Sequence, residues 1–281
     1  VRAIIAPGDE VLIPEPCYVS YHACVNLAGG KAVPVPTYMT NEFRPTVEDL
    51  EARVTNRTKA ILIGYPNNPT GTILTREELL AIADFAHKHD LIVISDEIYG
   101  KLTYEGDHIC FASLPGMRDR TILLNGFSKA YAMTGWRIGY ALSNPEFIAA
   151  MTKIHQYTML CAPITAQIGA IEALRNGEKE MKEMVAEYNR RRRLMVEGFK
   201  QIGLECFEPK GAFYIFPSIK STGLTSLEFA EKLLMTEKVA LVPGDAFGKS
   251  GEGFVRCSYA TSAQNLTAAL ERIDRFVRRI S

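Results

Sequence analysis

Short runs rich in β-branched and aliphatic residues alternate with helix-period segments through the first half of this 281-residue chain, at residues 10–14, 31–35, 60–64, 91–95, 121–125 and 137–142. Strands separated by helical stretches imply an α/β fold, a largely parallel sheet covered by helices. One intervening helix carries legible signals. Thr75 and Glu78 have capping-box spacing, and Leu79, Leu80, Ile82, Ala83 and Ala86 form its apolar side.

After about residue 178 the pattern changes. A long helix is predicted from Met181, Met184, Val185, Tyr188, Met195 and Phe199, which recur at helical steps, with the Arg190 to Arg193 run as its solvated face. Short strands are predicted at 204–207, 212–216 and 253–258, then a final helix from about Ser262. This is an α+β layout, and it places a large domain at 1–178 and a smaller one at 179–281, with the long helix as the joint.

The chain is 47% hydrophobic and carries 32 basic and 32 acidic side chains. A zero net charge gives no footprint for nucleic acid or an anionic membrane and favours small partners. Six scattered cysteines, with no C-x-x-C spacing, argue against a zinc site or a disulfide scaffold and suit a reducing cytoplasm. No apolar run approaches a membrane span. The opening Val1-Arg2-Ala3-Ile4-Ile5 lacks a methionine and reads as the tail of a helix entering the turn Ala6-Pro7-Gly8-Asp9, so an N-terminally incomplete chain is expected.

Candidate chemistry lies at the carboxyl ends of the predicted strands, where ligands sit in open α/β sheets. Ser128-Lys129 follows the run at 121–125 in a nearly uncharged segment, which suits a desolvated, nucleophilic amine, although an isolated lysine is more often a surface residue. Arg137 could return there as a phosphate fork. Asp96 follows the apolar Leu91-Ile92-Val93-Ile94 and, if buried, needs a cationic partner such as a protonated pyridine; capping the next element is the plainer use. Tyr99 would lie one helical turn on. Asn67-Asn68-Pro69-Thr70-Gly71 is turn punctuation that could also fix a hydrogen-bonding asparagine. Tyr18 could stack on a flat ring, and Arg256 could fork onto a carboxylate.

Taken in order, Asn68-Pro69-Thr70-Gly71, Asp96-Glu97-Ile98-Tyr99 and Ser128-Lys129 through Trp136-Arg137 resemble the fold-type-I pyridoxal-phosphate enzymes, within them the class I and II aminotransferases of the aspartate aminotransferase type. The resemblance covers the whole chain and implies a three-layer αβα sheet with a smaller C-terminal α+β domain. It implies that Lys129 holds pyridoxal 5'-phosphate as a Schiff base and shuttles protons, and that Asp96 pairs with the pyridine nitrogen. It places Asn68 and Tyr99 at the phenolic oxygen, Arg137 at the phosphate, Tyr18 against the ring and Arg256 on the substrate carboxylate. The implied reaction is ping-pong transamination between an L-amino acid and a 2-keto acid in a homodimer, with no metal, nucleic acid or membrane partner.

Where many relatives have a phosphate-binding serine this chain has Gly126, which shifts that contact to backbone or Ser128. Relatives also begin well upstream of Val1, with a phosphate-cradling helix start and a tyrosine that reaches the neighbouring subunit. The alternatives are a C-S β-lyase on the same scaffold, or a pyridoxal-phosphate-binding regulatory domain of a transcription factor. Cis peptides are expected at Glu15-Pro16 and Asn68-Pro69.

Overall fold

A computed structural model describes residues 1–280. Its larger sheet contains β1 (Glu10–Glu15), β2 (Lys31–Pro36), β3 (Thr58–Gly64), β4 (Ile92–Asp96), β5 (Thr121–Gly126) and β6 (Gly139–Leu142), in the order β2-β1-β3-β4-β5-β6. The first five run parallel and β6 pairs antiparallel with β5. The strand order reverses across β1, which is where open α/β sheets form a ligand crevice.

Both faces of this sheet are covered, which is why its central strands are apolar at nearly every position. Leu12, Ile61, Ile63 and Val93 pack on one face against α3 (Arg76–Lys88), near α2 (Val47–Glu51). Val11, Ile13, Ala60, Leu62 and Ile94 face the other way, toward Val25 of α1 (Ser20–Leu27). Thr75 caps α3 as its spacing indicates, accepting from Glu78 N at 3.3 Å while Glu78 Oε2 accepts from Thr75 N at 2.8 Å.

Two helices, α4 (Pro145–Thr158) and α5 (Ile164–Asn176), lead from β6 to the long α6 (Glu178–Ile202). Met181 of α6 packs with Tyr99, Leu102 and Ala130, whereas Met195 and Phe199 enter a second core. That core lies under a three-stranded sheet of β7 (Tyr214–Ile215), β8 (Val242–Pro243) and β9 (Val255–Ser258), with α7 (Ser226–Glu237) and α8 (Ala263–Ile280).

Three sequence expectations are corrected. Residues 204–207 form no strand: Leu204 N still bonds Phe199 O at the end of α6, and the segment makes one further backbone hydrogen bond, Ser218 N to Glu205 O, in place of a ladder. The strand expected at 137–142 begins only at Gly139, because Arg137 is left-handed at φ 55°. Finally, the arginine run is not wholly a solvated face. Arg192 is 2% exposed; its Nη1 donates to Glu105 Oε1 at 2.9 Å and to Pro209 O at 2.8 Å, and its guanidinium lies 5.3 Å from the Tyr104 ring centroid.

Arg192 thus fastens α6 to the loop after β4 and to the approach to β7. Glu105 and Glu208 are about half exposed and can rehydrate, so the loss on removing Arg192 falls on packing and on the Pro209 carbonyl. Arg192→Ala is expected to cost about 2–3 kcal/mol of stability. Urea unfolding measures it; an unchanged midpoint would contradict this role.

Candidate functional site

The register of three neighbouring strands builds the floor of the site. Gly64 pairs with Asp96, and Asp96 with Leu124, so β3 and β4 finish level and β5 runs two residues further, to Gly126. The segments that follow carry Asn68, Tyr99 and Lys129 around one cleft of about 520 Å³, also lined by Tyr18, Ser128, Arg137 and Arg256. Every residue singled out from the sequence therefore lines the same space.

Asp96 ends β4, where its Oδ2 accepts from Tyr21 Oη at 2.8 Å and its Oδ1 from Ile98 N at 3.2 Å. Burial pushes its pKa above the ordinary carboxylate value, against the opposing pull of those two hydrogen bonds. Tyr99 does not sit one helical turn away: 96–102 form turns closed by Gly100 N to Glu97 O and Leu102 N to Tyr99 O, both under 3.0 Å. Its hydroxyl is buried and lies 2.9 Å from that of Tyr214.

Lys129 is half-buried, with Nζ 5.9 Å from the Tyr99 ring centroid and 5.6 Å from that of Phe213. Burial lowers its pKa, and the positive charges of Arg137 and Arg256 lower it further, while Asp96 opposes them. A neutral amine is thereby made more available for nucleophilic and base chemistry.

The cis bonds are Glu15-Pro16, as expected, and Tyr65-Pro66 in place of Asn68-Pro69. Pro69 instead lies within a turn that Asn67 closes from its side chain, its Oδ1 accepting from Thr70 N at 3.2 Å. Gly71 N to Asn67 O and Asn67 N to Thr72 O complete the loop. Asn68 still lines the cleft, where its Oδ1 accepts from Arg256 Nη1 at 2.9 Å. Arg256 comes from β9 and its guanidinium lies over Tyr214, 4.5 Å from the ring centroid. Its Nε is buried without a hydrogen-bond partner, a donor left for a ligand acceptor.

The glycine at 126 has a steric reason. A Cβ there would meet Gly139 Cα at 2.9 Å and Ile138 O at 3.1 Å across the β5–β6 pairing. Ser128, Thr134 and Arg137 are instead the polar groups that line this side of the cleft. Arg137 is exposed at its edge, with Nη1 donating to Thr134 O at 3.0 Å. Tyr18 is 41% exposed and meets Tyr21 edge-on, with ring centroids 5.7 Å apart.

Tyr21, Asn125, Thr134 and Tyr214 were not anticipated. Tyr21 lies three residues after Tyr18, one turn along the entry to α1, and that spacing was the available signal. Nothing local marks Tyr214, whose place depends on pairing far along the chain.

The fit to a flat, phosphorylated, cationic ring rests on what these groups lack. Asp96 is a carboxylate raised by burial with no cation bonded to it, Lys129 is an amine weakened as an acceptor of protons, and Arg256 has an unpaired buried donor. Among the described residues no cluster of His, Cys, Asp and Glu could hold a metal ion, and no helix is long and apolar enough to cross a membrane.

The family model described as aminotransferase class I and II matches residues 1–273. An aspartate aminotransferase of Pyrococcus abyssi (strain GE5 / Orsay) is 51% identical over 281 residues, covering 99% of this chain and 72% of that protein. The aromatic-amino-acid aminotransferase 2 of Thermococcus litoralis is 49% identical over 282 residues, again covering 99% and 72%. The crystal structure of an aromatic aminotransferase from Pyrococcus horikoshii OT3 superposes with a TM-score of 0.98 at 48% identity, covering 100% of this chain and 76% of that one.

The burial of Asp96 sets a pH-dependent cost. A folded-state pKa above the unfolded one means that the folded chain binds the extra proton between the two values, so stability falls as pH rises through that window. Asp96→Asn removes this cost and keeps an acceptor for Tyr21. In the absence of added ligand, the variant is expected to melt higher than the parent at neutral pH, with the difference vanishing below about pH 4. A variant less stable at neutral pH would contradict the electrostatic reading.

Proposed function

Because this chain belongs to the class I and II aminotransferases, enzymes that move an amino group between an amino acid and a 2-keto acid, we propose that it uses pyridoxal phosphate held on Lys129 in the cleft between its two sheets. One observation carries the proposal: Lys129 and Arg137, Asp96 and Tyr99, Asn68, and Arg256, from four segments far apart in the chain, line a single cleft. The relatives' names favour this reading over a lyase or a regulatory domain.

The geometry supports the following residue roles. Asp96, steadied by Tyr21, would pair with the ring nitrogen and favour its protonated form. Asn68 and Tyr99 would serve the phenolic oxygen, Tyr18 would cover the ring, and Arg137 with Ser128 would hold the phosphate; all five line the cleft. The bound cofactor supplies an aldehyde to carry the amino group and a protonated ring to take up electrons from the substrate's Cα–H bond.

Arg256 takes the α-carboxylate of either substrate through paired donors, and its bond to Asn68 fixes the guanidinium beforehand. The lowered pKa of Lys129 leaves more of its amine neutral, the form that would accept a proton from a substrate's Cα. The amino donor leaves as a keto acid before a second 2-keto acid enters and leaves as an amino acid.

We divide the chain into a cofactor-binding part, 1–178, and a smaller part, 179–281. The packing of α6 into both cores supports that division. We also propose a homodimer, supported by apolar side chains left exposed on and between α4 and α5, among them Tyr157, Leu160, Ile164 and Ile168; sedimentation as a monomer would contradict it. Six unpaired thiols suit a reducing compartment such as the cytoplasm.

A panel of amino donors with 2-oxoglutarate is expected to yield keto acids, with neither ammonia nor thiol as product. Lys129→Ala should lower that turnover by at least about 10²–10⁴-fold, since it removes both the cofactor's anchor and the base. Near-parental turnover in the variant would end the assignment of Lys129.

A further inference from the structure

We infer that Tyr214 is a positioning residue for the reaction: its hydroxyl, bonded to that of Tyr99, sets how strongly Tyr99 donates to the cofactor's phenolic oxygen. The inference rests on the cofactor reading above and adds a residue to it.

The two hydroxyls lie 2.9 Å apart, both side chains are buried, and among the described residues neither hydroxyl has another hydrogen-bond partner. Each phenol owns one proton. If Tyr99 spends its proton on an oxygen in the cleft, the remaining bond is possible only with Tyr214 as donor and Tyr99 as acceptor. The order Tyr214 to Tyr99 to ligand is thereby forced, and donation onto an O–H oxygen strengthens that group's own donation. The Arg256 guanidinium over the Tyr214 ring, 4.5 Å from its centroid, draws electron density from the phenol and strengthens the first donor in the chain.

Tyr214 is held for this purpose by bonds that do not involve its hydroxyl. Its strand pairs Tyr214 with Ser258 and Ile215 with Cys257. On either side, Ala212 N donates to Leu102 O at 2.9 Å and Tyr259 N to Phe213 O at 3.0 Å. The rings of Tyr99 and Tyr214 meet edge-on at 5.9 Å. Tyr214→Phe therefore keeps the ring and its packing and deletes only the relay.

The test is a pH titration of the visible absorbance of the pyridoxal-phosphate-loaded chain in four forms: parent, Y214F, Y99F and the double variant. A donor at the phenolic oxygen helps most when the nitrogen joining Lys129 to the cofactor has lost its proton, so a weaker donor lets that nitrogen keep its proton to higher pH. Y214F is expected to raise the midpoint by roughly half a pH unit, about threefold in proton affinity. In the Y99F background the same substitution is expected to move nothing. An unchanged midpoint in Y214F, or an equal shift in both backgrounds, overturns the inference while leaving the cofactor reading in place. A parent chain that develops no such band overturns the cofactor reading, and the inference with it.

Discussion

The site depends on a carboxylate placed where its charge is costly. Asp96 ends β4, one of the two central strands of the sheet, between Gly64 of β3 and Leu124 of β5, and the fold gives it one phenol and one backbone N–H but no cation. A buried charge without a counter-ion destabilises the folded chain, and a cationic ring nitrogen would supply what is missing. The same desolvation that raises Asp96 also lowers Lys129, so one cleft shifts both groups toward their uncharged forms.

Holding that cleft together is a matter of backbone stitching between the two sheets. Gly71 O accepts from both Lys210 N and Gly211 N, each at 2.9 Å, and Tyr104 N donates to Lys210 O. No side chain can stand at residue 71: its φ is +75°, and a Cβ would come within 2.3 Å of Pro209 Cβ. Thus the turn that presents Asn68 is locked to the segment that presents Tyr214, and Arg192 fastens the same segment to α6. Residues of the small sheet, Arg256 and Tyr214, consequently meet residues of the large one at hydrogen-bond distance.

How much of this was legible in the sequence follows from the range of the interactions. The six strands of the large sheet and the cap of α3 are written locally, in apolar runs and in the Thr75–Glu78 spacing, and the strand ends agree to within two residues. Asp96 and Lys129 were legible because chemistry sits at strand ends. Arg192 was misread because its neighbours in sequence are charged, while its partners, Glu105 and Pro209, lie on other elements. The apolar alternation around Leu204 looked like a strand, yet a strand requires a partner ladder, which no local pattern reports. Tyr21 and Tyr214 acquire their meaning only from Asp96 and Tyr99, many residues away. The cis bond at Pro66, in place of Pro69, is likewise a property of the closed turn and not of either proline.

The central claim is that one lysine among all those in the chain carries the cofactor. Its most direct test is to incubate the chain with pyridoxal phosphate, reduce with borohydride so that any lysine-bound cofactor becomes permanently attached, and map the labelled peptides. A single dominant label is expected, on Lys129, suppressed when a competing amino acid is added before reduction. Label distributed over surface lysines such as Lys31 and Lys88, or absent from Lys129, would contradict it.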